Sequence, residues 1–358
     1  MPVAAKSAII KYTIVSVGLV YDPIYLEHDT GQHVEHAARL AAAIGLLEDS
    51  GTLSKLTTIP PHRASLDEIS RVHSPQYISY VESLAQRGSG WLDADTVVSP
   101  ASYEAACYAA GGAIAAVDAV LNGKVESAFA LVRPPGHHAL RSEAMGFCLF
   151  NNIAIATRHA MDSYQLERIL IADFDVHHGN GTQEAFYDDP HVLYFSTHQS
   201  PHYPGTGRVD EVGAGPGEGF TVNVPLPAWC GDEEYLRVFE EVLAPVARRF
   251  GPQLILVSAG YDAHWADPLS SMQLSTTGFG EMVRILKRLA GELCGGRIVF
   301  TLEGGYHLEA LASSVRATFD VLLGSSEIVD PLGPPRGVGR APSLDALLQT
   351  VKKIHKLV

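Results

Sequence analysis

Four short, almost continuously apolar runs in this chain each end in a cluster of titratable side chains. "SAFALV" (residues 127–132) leads into "RPPGHH", "ILIA" (169–172) into "DFDVHHGNG", "LILVS" (254–258) into "AGYDAH" and "IVFTL" (298–302) into "EGGY". Apolar, β-branched runs without alternation read as strands buried on both faces, and such strands belong to parallel sheets covered by helices. In open parallel sheets ligands bind beyond the carboxyl ends of the strands. This chain places His, Asp, Asn and Tyr there, where simple turn residues would suffice. The pattern restricts it to an α/β layer fold with a site along one edge of its sheet.

Two further runs, "TIVSVGLVY" (13–21) and "HVLYFST" (191–197), are expected strands, and the strands that begin at Arg168, Gln253 and Arg297 are expected to run on to Val176, Gly260 and Gly305. Helices are expected over 100–123, 151–164, 232–250 and 275–291, where Ala- and Leu-rich stretches replace the β-branched runs. No repeat or low-complexity linker divides the sequence. One domain over 1–358 is the simplest reading, with a core from about 12 to 325 and an extension over 326–358. That extension is expected to carry a terminal helix past the Pro/Gly-rich "DPLGPPRGVGRAP".

A formal charge of −14 leaves no excess of Lys and Arg to neutralise phosphates, which argues against nucleic-acid binding. "YTIVSVGLVYD" (12–22) reads as a core strand and not a signal segment, because no small-residue cleavage site follows. No stretch is expected to reach the length of a membrane span. Cys107, Cys148, Cys230 and Cys294 form no CxxC pair and read as buried hydrophobes in a reducing compartment. A cytoplasmic protein without membrane or nucleic-acid partners is the expectation, with homo-oligomerisation left open.

In "ADFDVHHGNGT", Asp173, Asp175 and His177 are spaced by two, so an extended chain would present them on one face. Acids at the end of an apolar strand are costly to desolvate unless a cation or donors compensate. A divalent metal on Asp175 and His177 supplies that compensation, and "SAGYDAH" offers Asp262 as a third ligand. Three protein ligands plus water is how a catalytic zinc keeps an open position. A lone Asp-x-His is more often a turn or a cap, and His178 and His264 read as neighbours of the ligands or as exposed residues. The joint occurrence at several strand ends carries the metal reading. A histidine of the "RPPGHH" pair could take a proton from water and later protonate a leaving amine. Tyr306 on the "EGGY" turn could donate to a developing oxyanion, or could be a core tyrosine on a turn.

"RPPGHH", "GFCLFNN", "DFDVHHGNGTQ", "YPGTG", "SAGYDAHWADP" and "LEGGY" together resemble the motifs of the zinc-dependent histone deacetylases and the related acetylpolyamine amidohydrolases. The likeness runs from "YDPIYLEHD" near residue 21 to "EGGYHLEALASSV" near 315, and the Asn of "HHGNG" is similar to the class II branch and its bacterial homologues. The resemblance implies an arginase/deacetylase-like fold, a mostly parallel sheet of about eight strands with helices on both faces. It implies one zinc on Asp175, His177 and Asp262, His138 as general base with His137 as its partner, and Tyr306 as the phenol on the acyl carbonyl. Asp173 matches the carboxylate that holds His137, and Asn180 stands where class I members have an Asp behind the other histidine. Gly146, Phe147 and Tyr203 match the walls of the acyl-lysine channel, and Asp95 matches a rim acid that binds substrate backbone. Asp173, Asp175, His177, Ser196 and Thr197 match a structural monovalent-cation site, usually potassium.

One segment departs from the family pattern. The usual "HPE-x-P-x-RL" is "HVEHAARL" (33–40), without either proline, though Arg39 is retained at a position that lines an internal exit channel in some relatives. Loss of the prolines frees the backbone of this loop.

The activity implied is removal of acetyl or related acyl groups from N-acyl-lysine side chains, releasing acetate and a free amine. The same chemistry on acetylpolyamines or other small amides is the first alternative. An arginase-type ureohydrolase needs a second metal and an Asp-x-Asp pair, and here Gly260 takes the first position. A non-catalytic acyl-lysine binding protein would not need the ligands, both histidines and Tyr306 together.

Overall fold

Parallel strands must be joined by crossovers, and this chain builds most of them as helices. The computed structural model describes residues 16–335 and 339–357, so residues 13–15 of the first expected strand lie outside the described part. Its strands in chain order are β1 (Val17–Val20), β2 (Thr57–Ile59), β3 (Gly90–Trp91), β4 (Val97–Val98), β5 (Ser127–Ala130), β6 (Ile169–Asp173), β7 (Val192–Gln199), β8 (Thr221–Leu226), β9 (Leu254–Ala259) and β10 (Ile298–Leu302). Among the described residues eight of these form one all-parallel sheet in the order β2-β1-β5-β10-β9-β6-β7-β8, and β3 and β4 form a small antiparallel pair. Every residue of β5, β6, β7, β9 and β10 is buried, which requires cover on both faces of the sheet.

The order of the central strands builds the site. β5, β10, β9 and β6 are neighbours, so four motifs scattered over about half the chain meet at one edge. The connection from β7 to β8 differs, being irregular apart from a short turn of 3₁₀-helix at Gly215–Gly217. It carries the "YPGTG" loop to the same edge.

Four expected helices are present as Ser102–Leu121, Asn152–Tyr164, the Asp232–Phe250 stretch and Thr276–Cys294. The third widens into a π-turn at Phe239–Leu243, just ahead of Pro245. Proline has no N–H to donate to the preceding turn, and a wider register is one way a helix absorbs that loss. The expected terminal helix is Asp345–Ile354, tied to the core by the Lys352–Glu241 and Arg237–Asp345 ion pairs.

Three expectations need correction. The strands end earlier than expected, β5 at Ala130, β9 at Ala259 and β10 at Leu302. β6 ends at Asp173, not Val176, because side chains interrupt its ladder: Asp173 Oδ1 accepts from Asp175 N at 3.2 Å and Asp175 Oδ1 from His177 N at 2.9 Å. Each carboxylate caps the amide two residues on and bends the chain. Two sheet strands, β2 and β8, were not expected. Helix Ser102–Leu121, with a mean hydropathy of 1.4, is long and apolar enough to cross a membrane, contrary to the reading that no stretch would be. In this fold most of that helix is buried, since its Ala- and Gly-rich surface packs against β5 and helix Asn152–Tyr164.

Candidate active site

Asp175 and His177 leave the end of β6, and Asp262 leaves the end of the adjacent β9. Their ligand atoms all lie within 4.8 Å of one another and all three residues are buried. His177 Nδ1 is 3.1 Å from Asp175 Oδ1 and 3.2 Å from Asp262 Oδ2. The backbone holds the remaining lobes, with Gly304 N donating to Asp175 Oδ2 at 2.8 Å and Val176 N to Asp262 Oδ1 at 2.9 Å. Asp262 Oδ2, buried, has no hydrogen-bond partner among the described residues. A Cβ at Gly260 would strike the Asp175 carboxylate, and one at Gly304 would strike that of Asp262. Burial resists charge on His177, yet the two carboxylates outweigh it and hold the imidazole near 10. The cluster demands positive charge at its centre, and its two oxygens and one nitrogen suit a divalent zinc-like ion.

The histidine pair follows β5. Gly136 N and His137 N donate to Glu303 Oε2 at 2.7 and 3.2 Å, and Ser258 Oγ donates to Oε1 at 3.0 Å, so a buried carboxylate at the end of β10 clamps the "PPGHH" turn. Burial raises Glu303 to about 7 against the opposing pull of His137. His137 Nδ1 lies 3.1 Å from Asp173 Oδ2, and His138 Nδ1 lies 2.8 Å from Asn180 Oδ1. The rings pack with centroids 4.0 Å apart. Burial, then His137 and His177, push His138 well below the usual histidine range and keep it neutral. Burial opposes a charge on His137, but Asp175 and Asp173 prevail and its pKa is about 10.

Tyr306 closes the opposite side. Its ring lies under the Arg39 guanidinium, 4.9 Å from centroid to Cζ, and 5.8 Å from that of Phe147. Asp267 Oδ2 accepts from Tyr306 N at 2.6 Å and from His307 N at 3.0 Å, while its Oδ1 accepts from Leu269 N at 3.0 Å. Arg39 is buried and donates to Gly305 O, Glu303 O and Glu35 Oε1, which also takes Arg133 Nε at 2.6 Å. The segment without prolines therefore still delivers Glu35 and Arg39 to the interior, with helix Ala38–Asp49 beginning at once.

A cavity of about 490 Å³ descends to these groups and is lined by His138, His177 and Tyr306 below, and by Gly146, Phe147 and Tyr203 along its sides. Phe147 has φ 69°, a left-handed backbone that aromatic residues seldom adopt, and its N–H is held by Thr96 Oγ1 at 3.1 Å. A Cβ at Gly146 would strike the His138 ring. Asp95 is at the mouth, its side chain 68% exposed, with Oδ1 3.6 Å from His33 Nε2. Below the triad, Ser196 pairs in register with Asp173, and its Oγ lies 2.9 Å from His198 Nδ1. Thr197 Oγ1 is buried with no hydrogen-bond partner among the described residues.

Of the residues singled out in the sequence, His138, His177, Tyr306, Gly146, Phe147, Tyr203 and Asp95 line one cavity, while Asp175, Asp262, His137, Asp173, Asn180, Ser196 and Thr197 do not line it. His178 and His264 are both buried, at 1% and 0% exposure. Glu303, Asp267, Glu35, His33 and His202 were not singled out. His202 stacks on His177 at 4.9 Å and lies 2.9 Å through Nε2 from Leu269 O. Glu303 sits inside "LEGGY", where a buried acid after an apolar strand was the available signal.

A cation cage of two acids and an imidazole, set beside a neutral base, is the equipment of hydrolases that activate water at a metal. Residues 33–322 match the histone deacetylase domain, and the chain belongs to that family of deacetylases. It is 42% identical over 351 residues to histone deacetylase 14, chloroplastic, of Arabidopsis thaliana, covering 93% of this chain and 83% of the relative. It is 43% identical over 327 residues to the human polyamine deacetylase HDAC10, covering 88% of this chain and 47% of the relative. The crystal structure of the HDA15 HD domain superposes with a TM-score of 0.85 at 36% identity, covering 96% of this chain and 95% of that one.

Proposed function

We propose that this deacetylase hydrolyses N-acyl-lysine side chains with one zinc ion held by Asp175, His177 and Asp262, releasing acetate and the free amine. The observation that carries the reading is the meeting of that triad, a neutral His138 and Tyr306 at the floor of one narrow cavity. Zinc bound there supplies a Lewis acid that polarises the acyl carbonyl and acidifies the attacking water.

The protein's own groups do the rest. Asn180 Nδ2 donates to the His138 carbonyl at 3.4 Å, so its Oδ1 faces His138 Nδ1 and accepts a hydrogen bond from it. A ring that donates through Nδ1 keeps its lone pair on Nε2. That nitrogen takes the proton of water and returns it to the departing amine. The Tyr306 phenol, pushed well above the usual tyrosine range by burial, stays protonated and donates to the developing oxyanion. Phe147 and Tyr203 pack along the lysine methylenes, and Asp95 at the rim accepts from the substrate backbone.

Beneath the site we propose a potassium ion on Asp173, Asp175, His177, Ser196 and Thr197. Successive strand residues point to opposite faces, so it would take the Ser196 hydroxyl but the backbone carbonyl of Thr197. The buried carboxylates of Asp173 and Asp175 suit a hard cation there.

Acetylpolyamines are the second reading, favoured by the relative named as a polyamine deacetylase. Asp95 is the one carboxylate lining the cavity above the triad among the described residues, and Leu269, Val34 and Gln32 complete that rim. A polyammonium chain would need more acids there. Turnover of an acetyl-lysine peptide and of acetylspermidine by the same preparation tests this. We expect the peptide to have the higher kcat/KM, and Asp95→Ala to raise KM for the peptide alone. A preference for acetylspermidine would overturn the substrate assignment while leaving the chemistry intact.

A further inference from the structure

A larger cavity, of about 910 Å³, lies at the other end of the sheet, where β6, β7 and β8 begin. Leu193, Phe220, Val246 and Phe250 give it an apolar wall, and Arg168, Arg249 and Lys356 line it with the single carboxylate of Glu218. Three cations gathered in one cavity stand out on a chain with a net charge of −14. Several exposed arginines elsewhere have carboxylate partners, such as Arg63 with Glu104, Arg248 with Glu292 and Arg288 with Glu240. Among the described residues Arg168, Arg249 and Lys356 have none.

Two of these cations are already oriented. Arg168 donates through Nε to Gly251 O at 2.8 Å, and Arg249 donates one terminal N–H to His355 O. Their remaining N–H groups are unengaged among the described residues. His355 itself lines the cavity, is 4% exposed, and its buried Nε2 has no hydrogen-bond partner among the described residues. Buried polar atoms are nearly always satisfied, so an orphan in a cavity wall marks the place of a missing partner. Nothing in amide hydrolysis at the opposite edge uses any of these groups.

We propose that this cavity binds a phosphate-bearing organic anion of nucleotide size. Its phosphates lie against Arg168, Arg249 and Lys356, its apolar ring against Phe220 and Phe250, and His355 Nε2 completes the hydrogen bonding. Planar guanidinium groups held in place match phosphate oxygens in pairs. The volume falls in the range of small-molecule sites. Glu218 repels a second anion but accepts from hydroxyls, which suits a sugar between ring and phosphate.

Calorimetric titration of the full chain with ATP, pyrophosphate and adenosine tests the proposal, with a hydroxamate saturating the deacetylase site throughout. ATP is expected to bind with a Kd below about 1 mM, and adenosine more weakly because it brings no charge. Arg168→Glu and Arg249→Glu, both at exposed positions, should weaken ATP roughly ten- to a hundredfold and leave turnover of an acetyl-lysine peptide unchanged. His355→Phe, which keeps the volume and removes Nε2, should also weaken it. Absence of binding by both ATP and pyrophosphate at that concentration overturns the proposal. So does ATP binding that Arg249→Glu leaves intact.

Discussion

Asp267 illustrates what a single buried carboxylate does when its partners are all backbone. It gathers the amides of Leu269, Tyr306 and His307, and so ties the loop after β9, at the channel rim, to the turn that aims the Tyr306 phenol. Tyr306→Phe removes one donor and little volume. It should retain metal and lose roughly 100- to 1000-fold in kcat on an acetyl-lysine peptide, as loss of an oxyanion donor does. Near-full turnover would make Tyr306 a core residue. Asp267→Ala should misplace the phenol and cost about a hundredfold in kcat with little change in KM. Because a trifluoroacetyl carbonyl is already activated, that loss should shrink on a trifluoroacetyl-lysine substrate. A lesion of folding alone would depress both substrates equally. Asp175, His177, Asp262, His138 and Tyr306 were legible in the sequence because each follows an apolar run. Asp267 was not, since its Tyr306 and His307 partners are 39 and 40 positions away and are amides that every residue has.

Among the elements, the interior strands could be read from composition and the edges could not. β2 is three residues of "TTI" and β8 is "TVNVPL", with Pro225 tolerated where one side of the strand has no neighbour. Such strands lack the unbroken apolar run that a doubly covered strand needs. The segment "HVEHAARL" shows a different limit: its missing prolines were visible, but not that Glu35 would anchor two buried arginines. Burial opposes ionisation of Glu35, yet Arg133 and Arg39 outweigh it and lower its pKa from 4.5 to about 2. A carboxylate depressed in the folded state stabilises the fold above its unfolded value, and that contribution is lost as pH falls through the folded value. Glu35→Gln strands both guanidinium groups and should cost about 3–5 kcal/mol near neutral pH. In denaturant titrations the gap between the two proteins should narrow as pH drops from 4.5 towards 2. A gap constant across that window would mean that Glu35 is not ionised in the fold.

At the scale of the whole molecule, the strand order turns distant motifs into one site, because β5, β10, β9 and β6 lie side by side and all point their carboxyl ends the same way. The same order leaves the second cavity at the opposite end of the sheet. An acyl-lysine binding protein could share the channel, but it would have no use for the proposed metal ligands beside a histidine held neutral. Gly260 brings no ligand of its own, and a side chain there would strike Asp175, so we propose a single ion. The decisive measurement is acetate release from an acetyl-lysine peptide by chelator-stripped protein as zinc is added back, with bound metal counted in parallel. Activity should be absent from the stripped protein, rise in proportion to bound zinc and level off at one zinc per chain. Full activity without metal, a requirement for a second ion, or zinc-loaded protein that binds the peptide and releases no acetate would contradict the assignment.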